Sequence, residues 1–129
     1  MKHPRLIFIF GIAGTAFAIA VLHNLAYAFF WYWKYWWFDI LLHGLGGFFL
    51  GSLVLWIIIF EYPEYFKKLL PLFATVGVTF LVGVLWEVFE YVIAVSQSSS
   101  YILDTMSDIG MNTMGILITY LLFSRYART

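Results

Sequence analysis

The chain contains no cysteine. Disulfides, thiolate metal centres and cysteine nucleophiles are therefore excluded, and the redox character of the compartment leaves no trace. Charge is scarce too: 11% of the 129 residues are charged, against about 25% in ordinary soluble domains. Basic and acidic side chains, seven of each, cancel to a formal net charge of zero. No basic surface calls for nucleic acid or anionic lipid.

What is present is apolar: 64% of residues are hydrophobic and 22% aromatic. Four stretches, near 6–30, 39–60, 70–95 and 101–124, each reach the roughly 20 residues that cross a bilayer as a helix. No Lys or Arg lies within any of them. The expectation is an all-α, four-helix transmembrane bundle forming one integral membrane domain over 1–129.

The first stretch has signal-peptide features. Lys2 and Arg5 precede an apolar run, and "AYA" at 26–28 resembles a cleavage site. The run exceeds the usual h-region of roughly 7–15 residues, and the chain starts at Met1. Both lead to the expectation of a retained helix.

The connectors are short. "WYWKYWWF" (31–38) is an aromatic belt of the kind that favours the membrane–water boundary. In "EYPEYFKKLLP" (61–71), Pro63 acts as a stop and Pro71 marks a start. "SQSSS" (96–100) offers Ser99 or Ser100 as a cap for the last span. Lys2, Arg5, Lys67, Lys68, Arg125 and Arg128 fall on one side of the membrane and Lys34 alone on the other. The positive-inside rule puts both termini in the cytoplasm and the aromatic and serine connectors outside. The expected location is a prokaryotic cytoplasmic membrane.

Polar residues within the apolar runs then line up. Asp39 begins the second span, and His43 is one turn deeper. Glu87 and Glu90 lie in "LWEVFEY" near the outer end of the third. Asp104, Asp108 and Asn112 descend the fourth, and His23 sits about two turns below the outer end of the first. At 1.5 Å per residue all fall within about 15 Å of the outer boundary. Steps of three and four put Asp39, His43, Gly46/Gly47 and Leu50 on one face. The same steps align Gly83, Glu87, Glu90 and Ala94, and likewise Asp104, Asp108, Asn112 and Gly115. Glycines on these faces let backbones approach closely, and "GGFFLG" (46–51) contains a Gly-xxx-Gly step.

Asp39, Glu87, Glu90, Asp104 and Asp108 are five carboxyl groups at one level, with only His23 and His43 as partners of opposite charge. Five anions at low dielectric do not all stay ionised unpaired. A bound cation, protons or water must compensate them. Carboxylates with an imidazole suit a divalent metal: Zn, Mn, Fe, Mg or Ca. Bland readings stand beside this one. Asp39 can cap its helix. His23 can bond a neighbouring helix. Asn112 and Thr113 can be interhelical hydrogen-bonding groups, and Met106, Met111 and Met114 packing residues.

"DILLHGLGGFFLG", "GVLWEVFEY" and "YILDTMSDIGMNTMGILI" occur in that order over roughly 39–118. Together they resemble the VanZ-like membrane proteins and the related YjdF-like group. The resemblance marks Asp39, His43, Glu87, Glu90, Asp104, Asp108 and Asn112. The VanZ-like pattern has a Lys after the first Asp and a Gln in the acidic helix. Ile40 and the Glu90 region depart from it, which sets this chain nearer the YjdF-like side.

The leading expectation is a membrane-embedded metal site, a hydrolase or transferase acting on a lipid headgroup or lipid-linked substrate, with Glu87 or Glu90 as general base. The alternative is non-enzymatic: a structural polar core or a proton or ion path, working through partners or homo-oligomers. A haem held between His23 and His43 is a third reading. A di-iron bundle lacks its expected Glu-x-x-His pairs.

Overall fold

The structure, a computed structural model, describes residues 4–62, 71–92, 101–123 and Tyr126. Helix α1 spans Pro4–Ala28, α2 Trp31–Lys34, α3 Phe38–Glu61, α4 Pro71–Val92 and α5 Tyr101–Phe123. The four long helices, each of 22 to 25 residues, run about 33–38 Å. That clears a hydrocarbon core of about 30 Å. All four are apolar enough to cross a membrane, as expected. The all-helical fold and the four spans agree with the pattern of apolar runs, and the boundaries differ by a few residues.

Local chemistry explains the ends. Pro4 and Pro71 open α1 and α4, where a missing N–H costs nothing. Asp39 and Asp104 sit in the first turns of α3 and α5, next to the positive ends of those helix dipoles. After α3, Tyr62 is extended, with φ −97° and ψ 152°. That is the conformation forced on a residue preceding proline, here Pro63. Residues 63–70 and 93–100, with Lys67, Lys68, Ala94 and the serine caps, lie outside the described residues. So do Lys2, Arg125 and Arg128.

The aromatic connector is more structured than its composition suggested. It folds into α2, entered through Phe30 at φ 59°. A left-handed conformation is costly for a bulky side chain. The rings around it stack edge to face, as Trp31 and Tyr32 do on the buried Phe38 (centroids 5.5 and 5.4 Å).

The most extensive helix contact is between α3 and α5; α1 packs on α3, and α4 packs on both α3 and α5. The α3–α5 pair is parallel and in register. His43 meets Asp108, Gly47 meets Asn112 and Gly51 meets Ile116, each partner the same distance further along the chain. Two parallel helices cannot be joined by a short turn, so α4 carries the chain back between them. A Cβ on Gly47 would collide with the Asn112 carbonyl, and one on Gly115 would collide with the Gly44 carbonyl and lie 2.6 Å from the Phe48 amide. Small residues here let two backbones touch, which is how helices associate where lipid removes the hydrophobic drive. At the other end of the bundle the packing is aromatic. Phe8, Leu55, Ile59 and Phe123 form a buried cluster, with Phe60 and Tyr126 against it. Arg5 lies over the Phe60 ring, 5.1 Å from its centroid.

Candidate metal centre

The polar residues of α3 and α5 converge at the end of the bundle where both helices begin. His43 Nε2 lies 4.0 Å from Asp39 Oδ2 and 3.8 Å from Asp108 Oδ2. One ligand atom from each of the three residues falls within 4.8 Å of the others. The spacing exceeds hydrogen-bond range. The two His43 distances are a few tenths of an ångström wider than the roughly 3.4 Å between donors on one tetrahedral zinc with bonds of about 2.1 Å, and the two carboxylates lie within 4.8 Å of each other.

Each donor is placed by its helix. Asp39 and His43 are one turn apart on α3, so their side chains share a face. Asp108 reaches them because α5 is held against α3 at backbone contact. Burial is graded: the Asp39 side chain is 40% exposed, His43 12% and Asp108 3%. The group therefore opens toward Asp39 and closes toward Asp108. Asp104, one turn nearer the helix start, lies within electrostatic reach of Asp39.

Glu87 is buried, 5% exposed. It lies one turn beyond Gly83 on α4. Gly83 faces Asn112, and Asp108 is one turn beyond Asn112 in the same direction. Glu87 and Asp108 therefore share a level, with Glu87 outside the three-residue group itself. The α4 backbone carries Glu90, and its side chain lies outside the described residues.

Two expectations need correction. Among the described residues, the first span adds nothing to the group. His23 is exposed, with Nδ1 2.7 Å from the Tyr32 hydroxyl and its ring against Tyr27. It belongs to the aromatic connector, and it does not face His43 across a haem. Thr113 is not an interhelical link either, since its hydroxyl donates to Ile109 O of its own helix at 2.8 Å. Asn112 does act across helices, donating from Nδ2 to Thr79 O at 3.4 Å. Among the α5 methionines, Met111 reaches the Gly44 position, while Met106 and Met114 are exposed on the helix surface.

The sequence reading missed the buried hydroxyls beneath the group. Thr119 donates to Phe48 O at 3.0 Å and lies 3.5 Å from Ser52 Oγ. Thr75 and Thr79 are fully buried on α4. Steps of three and four extend the polar faces of α4 and α5 to the three threonines (75, 79, 83, 87 and 108, 112, 115, 119), a signal present in the sequence. Thr105, between Asp104 and Asp108, has a buried hydroxyl with no hydrogen-bond partner among the described residues.

Four lipid-length helices with carboxylates and an imidazole gathered at one end define a multi-pass integral membrane protein. The chain belongs to the family described as predicted membrane protein (DUF2238), whose model matches residues 4–129. No curated protein and no solved structure matches the chain.

Proposed function

We propose that the protein holds a divalent cation on Asp39, His43 and Asp108. The observation that carries this reading is the convergence of three donor atoms, from two helices, within 4.8 Å of one another. Two carboxylates and one imidazole form a mixed oxygen–nitrogen set suited to Zn, Mn or Fe. Three protein ligands leave coordination positions open for water or substrate, the arrangement of catalytic rather than structural sites. Asp39, His43 and Asp108 would hold the cation, which would supply an acidified water, and Glu87, buried at the same level, would be the candidate base. The substrate class is a lipid headgroup or lipid-linked group, because the group opens at a bundle end lined by membrane-boundary aromatics. The resemblance to VanZ-like and YjdF-like proteins supports the reading, since it marks the same residues.

The charge pattern supports an outward-facing site with both termini in the cytoplasm. A single cysteine at Tyr35, exposed on the connector, should react with an impermeant reagent from outside intact cells.

The ion-pair distances around His43 also suit a second reading, in which a protonated imidazole bridges two carboxylates without metal. Metal analysis of purified protein separates the two. Near-stoichiometric metal in the wild type, lost in His43→Ala and Asp108→Asn, supports the cation. Equal, negligible metal in all three supports the imidazolium.

A further inference from the structure

Beneath the candidate cation group lies a junction of three helices. Asn112 of α5 is buried there, 6% exposed. Its backbone carbonyl and Oδ1 press on Gly47 of α3, its Nδ2 presses on Gly83 of α4, and the same nitrogen donates to Thr79 O. A Cβ on either glycine would run into Asn112. One turn above Gly47 is His43, one turn above Asn112 is Asp108, and one turn above Gly83 is Glu87. Each of these three residues therefore stands about 6 Å above a member of one three-part contact.

We infer that Asn112, seated between Gly47 and Gly83, is the positioning residue that sets the spacing of His43, Asp108 and Glu87. The inference rests on the cation reading for its affinity readout and extends it to a residue that touches no ligand atom. A methyl on Gly47 would meet the Asn112 backbone, which fixes the separation of α3 and α5 there, while the Asn112 amide fills the space against Gly83 and spaces α4; the side chains a turn above inherit that spacing. An amide suits the position. It is neutral, so it adds no charge to a level already rich in carboxylates. It has donors for α4 and an acceptor facing α3. Supporting groups of this kind typically change metal affinity 10–100-fold when removed.

The test uses the full chain in detergent and zinc as the probe. Asn112→Ala and Gly83→Ala should each weaken zinc binding by about 10–100-fold. Gly77→Ala lies on the same helix with nothing within 4 Å of its new methyl, and it should bind as the wild type does. Combining Gly83→Ala with Asn112→Ala should add little to Asn112→Ala alone, because the amide that the new methyl strikes is gone. A second readout needs no metal: the His43 ring signals in NMR should move in Asn112→Ala and Gly83→Ala and stay put in Gly77→Ala. Gly83→Ala matching Gly77→Ala in both readouts, or strictly additive losses in the double variant, overturns the inference. A wild type that takes up neither zinc nor, tried in its place, manganese or iron defeats the cation reading alone, and the His43 signals then decide whether Asn112 sets the spacing.

Discussion

The two ends of the bundle solve the packing problem in opposite ways. Toward the end where α3 and α5 begin, Asp39, His43, Asp108 and Glu87 gather, and just beneath them glycine and Asn112 bring backbones into contact. Where they end, Phe8 meets Phe123 at 4.4 Å between centroids and Phe60 at 5.6 Å, and large rings hold the helices. Interhelical distance follows the size of the side chains at the contact. The glycine end is thus the one where short carboxylate side chains on different helices can meet. The aromatic end also brings α1 to α5, through Phe8 and Phe123. At the polar end the α1 histidine, His23, is turned into the connector.

The sharpest way to break this contrast is to give the glycine end a side chain. Gly115→Leu would drive a branched group into the backbone of Gly44, Gly47 and Phe48. Backbone cannot yield as a side-chain tip can, so the loss of stability should reach at least about 3 kcal/mol, read by unfolding in detergent. Gly77→Ala should be neutral or stabilising by up to about 1 kcal/mol through helix propensity.

Next in size is removal of the cation. At a free concentration one hundred times its Kd, a bound ion stabilises the folded state by about 2.7 kcal/mol. A chelator should lower the melting temperature accordingly, and added ion should restore it. The response should vanish in His43→Ala and Asp108→Asn and weaken in Asp39→Asn, whose side chain is the most exposed of the three. Binding requires ionised carboxylates and a neutral imidazole. Protons therefore compete, and affinity should fall as pH falls. Melting curves indifferent to chelator and to every divalent ion tried would favour the imidazolium reading.

The aromatic end supplies the converse. Phe8 is fully buried, and Phe8→Ala should leave a cavity. In a water-soluble core such a change costs about 3–5 kcal/mol, part of it the transfer of the ring from water. In lipid that part is missing, so the loss should be smaller, about 1–3 kcal/mol. Cation affinity should not change. A loss of affinity would mean that the two ends are coupled through α3.

These contrasts were unequally legible in the sequence. The spans were plain, because a run of apolar residues long enough to cross lipid has few other readings. The faces carrying Asp39/His43 and Asp108/Asn112 were also legible, since four-residue steps fix which side chains share a side. Hidden from the pattern was which faces meet. Periodicity within one helix carries no information about the register between helices, and the parallel α3–α5 pairing rests on glycines that could equally have faced lipid. His23 shows the limit. Its depth matched the other polar residues, but a tyrosine nine residues later in the connector took its ring nitrogen.

The smallest expected effect tests that reassignment. His23 Nδ1 and the Tyr32 hydroxyl form a short contact at the exposed surface. Tyr32→Phe deletes the hydroxyl and keeps the ring, preserving its edge-to-face packing on Phe38. One hydrogen bond of this kind contributes about 0.5–1.5 kcal/mol, and exposure puts this one at the low end, so the melting temperature should fall only slightly. Zinc affinity should match the wild type, because neither residue belongs to the Asp39–His43–Asp108 group. His23→Ala also removes the ring's packing on Tyr27 and Tyr32, so it should cost somewhat more, and adding Tyr32→Phe to it should cost little further, since the hydrogen bond is already gone. A tenfold drop in zinc affinity in either variant would return α1 to the site and erase the difference between the helices that build it and the helix that does not.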